Sequence, residues 1–164
     1  MKTLILGIGN PILSDDSIGL IVVRRLKEEK IKNIEVKETT TTGLDLLELM
    51  RGYRNLIAID AMKTGKFPPG IVVELKREDI ACALHLVDSH TIDFFTALEL
   101  GRKLHPAEMP KKIVIFGIEV SNTTTFSENL TPLLQKKLPE IVRRLKKEIE
   151  RLARTEVLTL SELK

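Results

Sequence analysis

The chain has 164 residues, 43% hydrophobic and 30% charged, and its 26 basic and 23 acidic residues leave a net charge of +3. That length suits one domain burying about two thirds of its unfolded surface, and the composition excludes a disordered chain. A lone cysteine, Cys82, excludes a disulfide framework or cysteine-only zinc site and points to the cytoplasm, while the N-terminal apolar run is too short for a signal peptide and none reaches the ~20 residues of a membrane helix.

Residues 4–9 form an apolar run closed by Gly7 and Gly9, as expected of a strand buried on both faces. A loop over residues 10–16 follows. Ile18, Ile21, Val22 and Leu26 then recur at three- and four-residue steps among Arg24, Arg25, Lys27 and Glu28, which predicts an amphipathic helix. Residues 34–36 read as a short strand, and Leu44, Leu47 and Met50 line one side of a helix beginning near Gly43. Residues 55–60 make another buried strand, ending on the carboxylate of Asp60. Residues 63–69 are turn-rich, and the strand at residues 70–75 follows too soon for a helical crossover, so it is expected to be antiparallel and at an edge. Ile92, Phe95, Leu98 and Leu104 mark a helix from about Thr91, with Asp88 and Ser89 as caps.

Residues 112–118 are the last central strand. The final helix opens at Thr131 and Pro132, a cap residue before a proline at the first helical position. Its stripe of Leu134, Leu138, Ile141, Val142, Leu145, Ile149 and Leu152 stays in phase across Pro139, where a kink is expected. Eight basic residues between Lys136 and Arg154 are mixed with Glu140, Glu148 and Glu150, which reads as a solvated helix face and not as a surface for nucleic acid.

Strands alternating with helices predict a three-layer α/β/α sandwich around a twisted, mostly parallel sheet, with residues 1–164 forming a single domain. Ligands in such folds sit outside the carboxyl ends of the strands. Three polar residues fall there: Asp16 after the first strand, Asp60 at the end of the third, and His90 before the next helix. If the first and third strands are neighbours, all three open into one crevice. Two carboxylates and an imidazole suit zinc, nickel, manganese or iron better than magnesium or calcium. Ordinary roles are open to each as well. Asp15 and Asp16 precede a helix, where a carboxylate favours the dipole, and Asp15 is the more ordinary cap. Asp60 could cap the turn that follows it, and His90 lies in a normal helix start; His85 and His105 are weaker candidates.

The turn Gly7-Ile8-Gly9-Asn10 invites a dinucleotide-binding reading, but Ile12 stands where a third glycine is needed. Asp15 and Asp16 would also set negative charge where a pyrophosphate should rest. No Gly-x-Ser-x-Gly elbow, His-Glu-x-x-His helix or catalytic-cysteine signature is present. A hydrolase built from these residues is left with metal-assisted attack by water or direct carboxylate chemistry.

The run from Gly7 to Gly19, with its Gly-x-Gly-Asn turn, the pair Asp15-Asp16 and a glycine three residues on, closely resembles the signature of the hydrogenase maturation endopeptidases. Ile59-Asp60-Ala61 and His90 fall where that family carries its other metal ligands, and the order of elements matches to about Pro139. The resemblance implies an endopeptidase that removes a C-terminal extension from the nickel-loaded precursor of a nickel-iron hydrogenase large subunit; charge pattern and apolar-run length lead to an expectation of neither nucleic acid nor membrane as a partner. The resemblance also implies that nickel is carried by the substrate, another divalent metal substituting in vitro, and that Asp16, Asp60 and His90 contact it. Gly9 and Asn10 are the implied substrate-binding turn. Many members have an Asp-Gly-Gly-Thr stretch where this chain reads Glu38-Thr39-Thr40-Thr41; Glu38 keeps the charge and is the candidate for a catalytic role. The alternative is a non-enzymatic chaperone that binds nickel or the precursor through the same ligands.

Overall fold

A computed structural model describes residues 2–29, 31–40, 43–76, 78–79 and 94–161, with side chains to residue 154. The elements run β1 (Thr3–Ile8), a 3-10 turn (Ser14–Ser17), α1 (Ile18–Glu28), β2 (Ile34–Thr39), α2 (Asp45–Met50), β3 (Asn55–Met62), β4 (Val72–Glu74), α3 (Phe94–Leu104), β5 (Lys112–Glu119) and α4 (Pro132–Ser161). They build one five-stranded sheet in the order β2-β1-β3-β5-β4. β1 pairs in parallel with β2 and β3, and β3 with β5, while β4 runs antiparallel at the edge as its short connection requires.

Alternation along the buried strands feeds two cores. On one face Ile5, Ile57 and Ile59 meet Val22, Val23 and Leu26 of α1 and Leu134, Leu138, Ile141, Leu145 and Ile149 of α4. On the other, Leu4, Leu6, Ile8 and Ala58 meet Leu46, Leu47 and Met50 of α2 and Phe94 and Leu98 of α3. The result is the expected α/β/α layering. α4 runs unbroken through Pro139, its apolar stripe buried at Leu134, Leu138, Ile141, Leu145 and Ile149 and half-buried at Val142 and Leu152. Its basic face is exposed, and it forms pairs such as Lys146–Glu29 and Arg151–Glu148.

Several local expectations change. β2 reaches Thr39, and β3 continues two residues past Asp60, so that carboxylate sits inside the strand and not at its end. α2 begins only at Asp45, so Leu44 occupies the cap position ahead of the helical period and is 47% exposed, its expected place in the core taken by Leu46. Leu104 is 59% exposed because it ends α3, and in α1 Val23 is buried while Ile21 is only partly so. The loop after β1 contains the 3-10 turn. The helix start at Thr91, Ile92 and the caps Asp88 and Ser89 lie outside the described residues, as do Cys82, His85 and His90.

Candidate active site

In a doubly wound sheet the crevice opens where successive connections leave on opposite sides, here between β1 and β3. Gly19, at the start of α1, seats that helix on both strands. A Cβ on it would lie 2.2 Å from the Ile8 carbonyl oxygen and 2.6 Å from that of Ile59, so only hydrogen fits. Gly9 does the same for the turn, since a Cβ there would meet the Asp16 carbonyl oxygen at 2.5 Å. The two glycines thus press the Ser14–Ser17 turn onto the sheet, where it packs against β3. Asp16 follows Gly9 by that close contact, and Asp60 is the residue next to Ile59. The glycine spacing therefore has a packing cause, and its consequence is that the turn carrying Asp16 packs against β3, the strand that carries Asp60.

Four charged side chains are buried among the described residues, and all are carboxylates: Asp15 (0% exposed), Asp16 (3%), Asp60 (0%) and Glu119 (1%). Each sits at the carboxyl end of the parallel strands, Asp60 opposite Gly117 and Glu119 opposite Met62. Burying like charges together is costly unless each is hydrogen-bonded or neutralised by a cation. Two of the four are committed to holding loops. Glu119 accepts the Thr64 and Gly65 backbone N–H groups at 2.9 and 2.8 Å and the Thr64 hydroxyl at 2.7 Å, pinning the segment that leaves β3. Asp15 accepts the Thr131 N–H at 2.7 Å, the Thr131 hydroxyl at 3.1 Å and the Asn122 N–H at 3.2 Å. It therefore caps α4 from across the chain, where the sequence suggested a cap on the helix next to it. The Asp60 carboxylate accepts the Ala61 N–H at 2.8 Å. No buried side-chain nitrogen or oxygen among the described residues lacks a partner.

Asp16 and Asp60 are both buried near the carboxyl ends of β1 and β3, and His90 lies outside the described residues. No group of three potential metal-ligating side chains occurs among the described residues. Asp60 alternates with Leu56 and Ala58 and so belongs to the α2 and α3 face, and Phe94, four residues after His90, is buried on that same face.

Glu38 stands apart. It pairs in register with Gly7 on the edge strand and accepts a 2.8 Å hydrogen bond from Arg24 of α1, which raises the Arg24 pKa. That pair is solvent-exposed and lies on the face opposite Asp60. Gly9 is buried, and its N–H donates to the Thr39 carbonyl at 3.4 Å; Asn10 accepts the Ile12 N–H at 3.1 Å and so shapes its own turn. Glu119 and Asn122 were not singled out by the sequence, and Thr131 only as the cap residue of the final helix. Glu119 carries the same signal as Asp60, a carboxylate closing an apolar strand.

The fold is a doubly wound α/β sheet with buried carboxylates at the carboxyl ends of its parallel strands. The profile of the hydrogenase maturation protease family matches residues 20–148. A curated relative, the hydrogenase 2 maturation protease of Escherichia coli strain K12, is 28% identical over 148 residues, covering 84% of this chain and 89% of the relative. Among solved structures, the hydrogenase maturating endopeptidase HybD from E. coli superposes with a TM-score of 0.74 at 25% identity, over 92% of this chain and 93% of that one. The [NiFe] hydrogenase maturation protease HybD from Thermococcus kodakarensis gives 0.67 at 25% identity, over 90% and 98%. The chain belongs to the hydrogenase maturation protease family. It is an endopeptidase, and the non-enzymatic chaperone alternative gives way to a hydrolase. No helix among the described residues is long and apolar enough to cross a membrane.

Proposed function

We propose that this endopeptidase removes the C-terminal extension from the nickel-loaded precursor of a nickel-iron hydrogenase large subunit, and that Asp16, Asp60 and His90 contact the nickel that the substrate carries. The observation that carries this reading is the seating of Gly19 on the Ile8 and Ile59 carbonyls, which brings the turn of Asp16 over the strand of Asp60. Two buried carboxylates at a switch-point crevice form a hard, anionic half-site that favours a divalent cation over any anionic ligand. A metal already held by substrate thiolates needs few further donors, so an incomplete site on the peptidase suits a metal delivered with the substrate. The arrangement also links cleavage to metal insertion, because without the ion the precursor tail meets the two carboxylates with no cation between them.

The test is to incubate the protein with precursor in nickel-loaded and nickel-free forms and to weigh the products. Loss of a C-terminal fragment from the loaded form alone is expected. Equal cleavage of both forms would refute nickel dependence, and an unchanged mass in both would refute this substrate.

A further inference from the structure

Asp15 and Asp16 are adjacent and chemically identical, yet they do different things. The Asp15 carboxylate is fully buried and gathers three donors from two distant segments, the Thr131 N–H and hydroxyl and the Asn122 N–H. Its own N–H donates to the Asn122 carbonyl at 3.1 Å. The neighbouring backbone continues the seam: Ser14 N–H to Ser127 carbonyl at 2.8 Å, Ser127 N–H to Ile12 carbonyl at 3.0 Å, and the Ser14 hydroxyl to the Asn129 carbonyl at 3.2 Å.

This seam matters because the turn carrying Asp16 has few bonds of its own, chiefly Asp16 N–H to the Leu13 carbonyl at 3.1 Å and the Ser17 hydroxyl to the Ser14 carbonyl at 2.7 Å. Ser14–Ser17 is a four-residue 3-10 turn, too short for a stable hydrogen-bonded ladder, and it opens on Ser14 at φ 49°, a conformation that L residues rarely adopt. Beyond the packing at Gly9 and Gly19, its position rests on tertiary bonds. The anchor is a good one. Thr131 immediately precedes α4, whose buried stripe fixes that helix on the first core, and an anion at a helix N-terminus is electrostatically favoured.

We infer that Asp15, held by Thr131 and Asn122, is a positioning residue that sets the aim of the Asp16 carboxylate, and that the two aspartates divide structural and metal-contacting labour between them. This rests on the reading of Asp16 as a nickel contact. The reach of a carboxylate to a metal tolerates little error, and a positioning shell left loose lowers metal affinity about 10- to 100-fold where such partners have been removed. Asp15→Asn keeps the side-chain shape but turns one acceptor into a donor, so at least one bond to Thr131 or Asn122 must break. Thr131→Val removes only the hydroxyl and keeps the main-chain donor.

The test is titration calorimetry of the full chain with cadmium(II), alongside thermal melting. Asp15→Asn is expected to weaken cadmium binding at least tenfold, and Thr131→Val severalfold. The control is Ile149→Ala, a core truncation at the opposite end of the sheet near Thr3 and Asn55, which should lower the melting temperature at least as much and leave affinity unchanged. Wild-type affinity in both Asp15→Asn and Thr131→Val would overturn the inference, as would an equal loss in Ile149→Ala, which would make the effect one of global stability. Cadmium binding that survives Asp16→Ala would instead remove Asp16 from the site, and the positioning role with it.

Discussion

Substituting Gly19 by alanine tests the geometry on which the site depends. An alanine Cβ would sit 2.2 Å from the Ile8 carbonyl oxygen and 2.6 Å from that of Ile59, both backbone atoms of central strands that cannot swing aside as a side chain can. Real Cβ contacts essentially never fall below 3.0 Å, so the start of α1 must retreat by about 0.8 Å. Overpacking of this kind costs roughly 1–3 kcal/mol, against which alanine returns about 1 kcal/mol of helix propensity over glycine. Because the opposing atoms are backbone, the net loss is expected toward the upper end, about 1–2 kcal/mol, or a fall in Tm of ~3–8 °C for a chain of this size. The effect on function should be larger than the effect on stability. The same retreat carries the Ser14–Ser17 turn, and Asp16 with it, away from β3. Misplacing a reacting group by about 1 Å can cost on the order of 100-fold in rate. Precursor processing followed by mass spectrometry, with calorimetric melting of the same preparation, measures both. A Gly19→Ala variant with full activity and unchanged Tm would refute the claim that this contact places Asp16.

Other outcomes follow from the same account. Asp16→Ala and Asp60→Ala should each abolish processing while shifting stability by less than about 1 kcal/mol, since they remove charges that are costly to bury; urea melts and the processing assay check this. Leu145→Ala, at a fully buried site on α4, should cost about 2–5 kcal/mol in a urea melt and leave the cadmium affinity of the surviving folded protein intact. Arg24→Ala should change stability by no more than about 1 kcal/mol and leave processing unaffected, because its pair with Glu38 is exposed and off the crevice; loss of activity would return Glu38 to consideration. Tyr53, ahead of Lys37 and Lys2, holds the Glu35 carboxyl below the ordinary carboxylate range. A depressed folded pKa means a contribution present at neutral pH and lost as the pH falls through that value, so Tyr53→Phe should flatten the acid limb of stability against pH.

Much of the fold was legible because its signals are local. Apolar runs of strand length, a helical period across Pro139 and a connection too short for a crossover suffice to predict four parallel strands, a long terminal helix and the antiparallel edge strand. The failures are at boundaries. Leu44 has the right spacing for the core but lies one residue ahead of the helix, a difference that depends on the turn at Gly43 with its positive φ and not on periodicity. Asp60 was visible as a carboxylate closing an apolar run, and Glu119 presents the same pattern, yet nothing local distinguishes a site residue from one that ties down Thr64 and Gly65. Asp15 is the clearest case. Its partner Thr131 is 116 residues away, so the division of labour within the Asp15-Asp16 pair exists only in the folded chain.

The most direct measurement is a crystal structure of the protein soaked with a divalent cation such as cadmium or zinc. The account predicts one ion in the crevice between β1 and β3, held by the Asp16 and Asp60 carboxylates and the His90 imidazole, at about 2.0–2.2 Å for zinc. An ion bound elsewhere, or bound here with the His90 imidazole pointing away from it, would contradict the claim that these three side chains read the metal of the substrate.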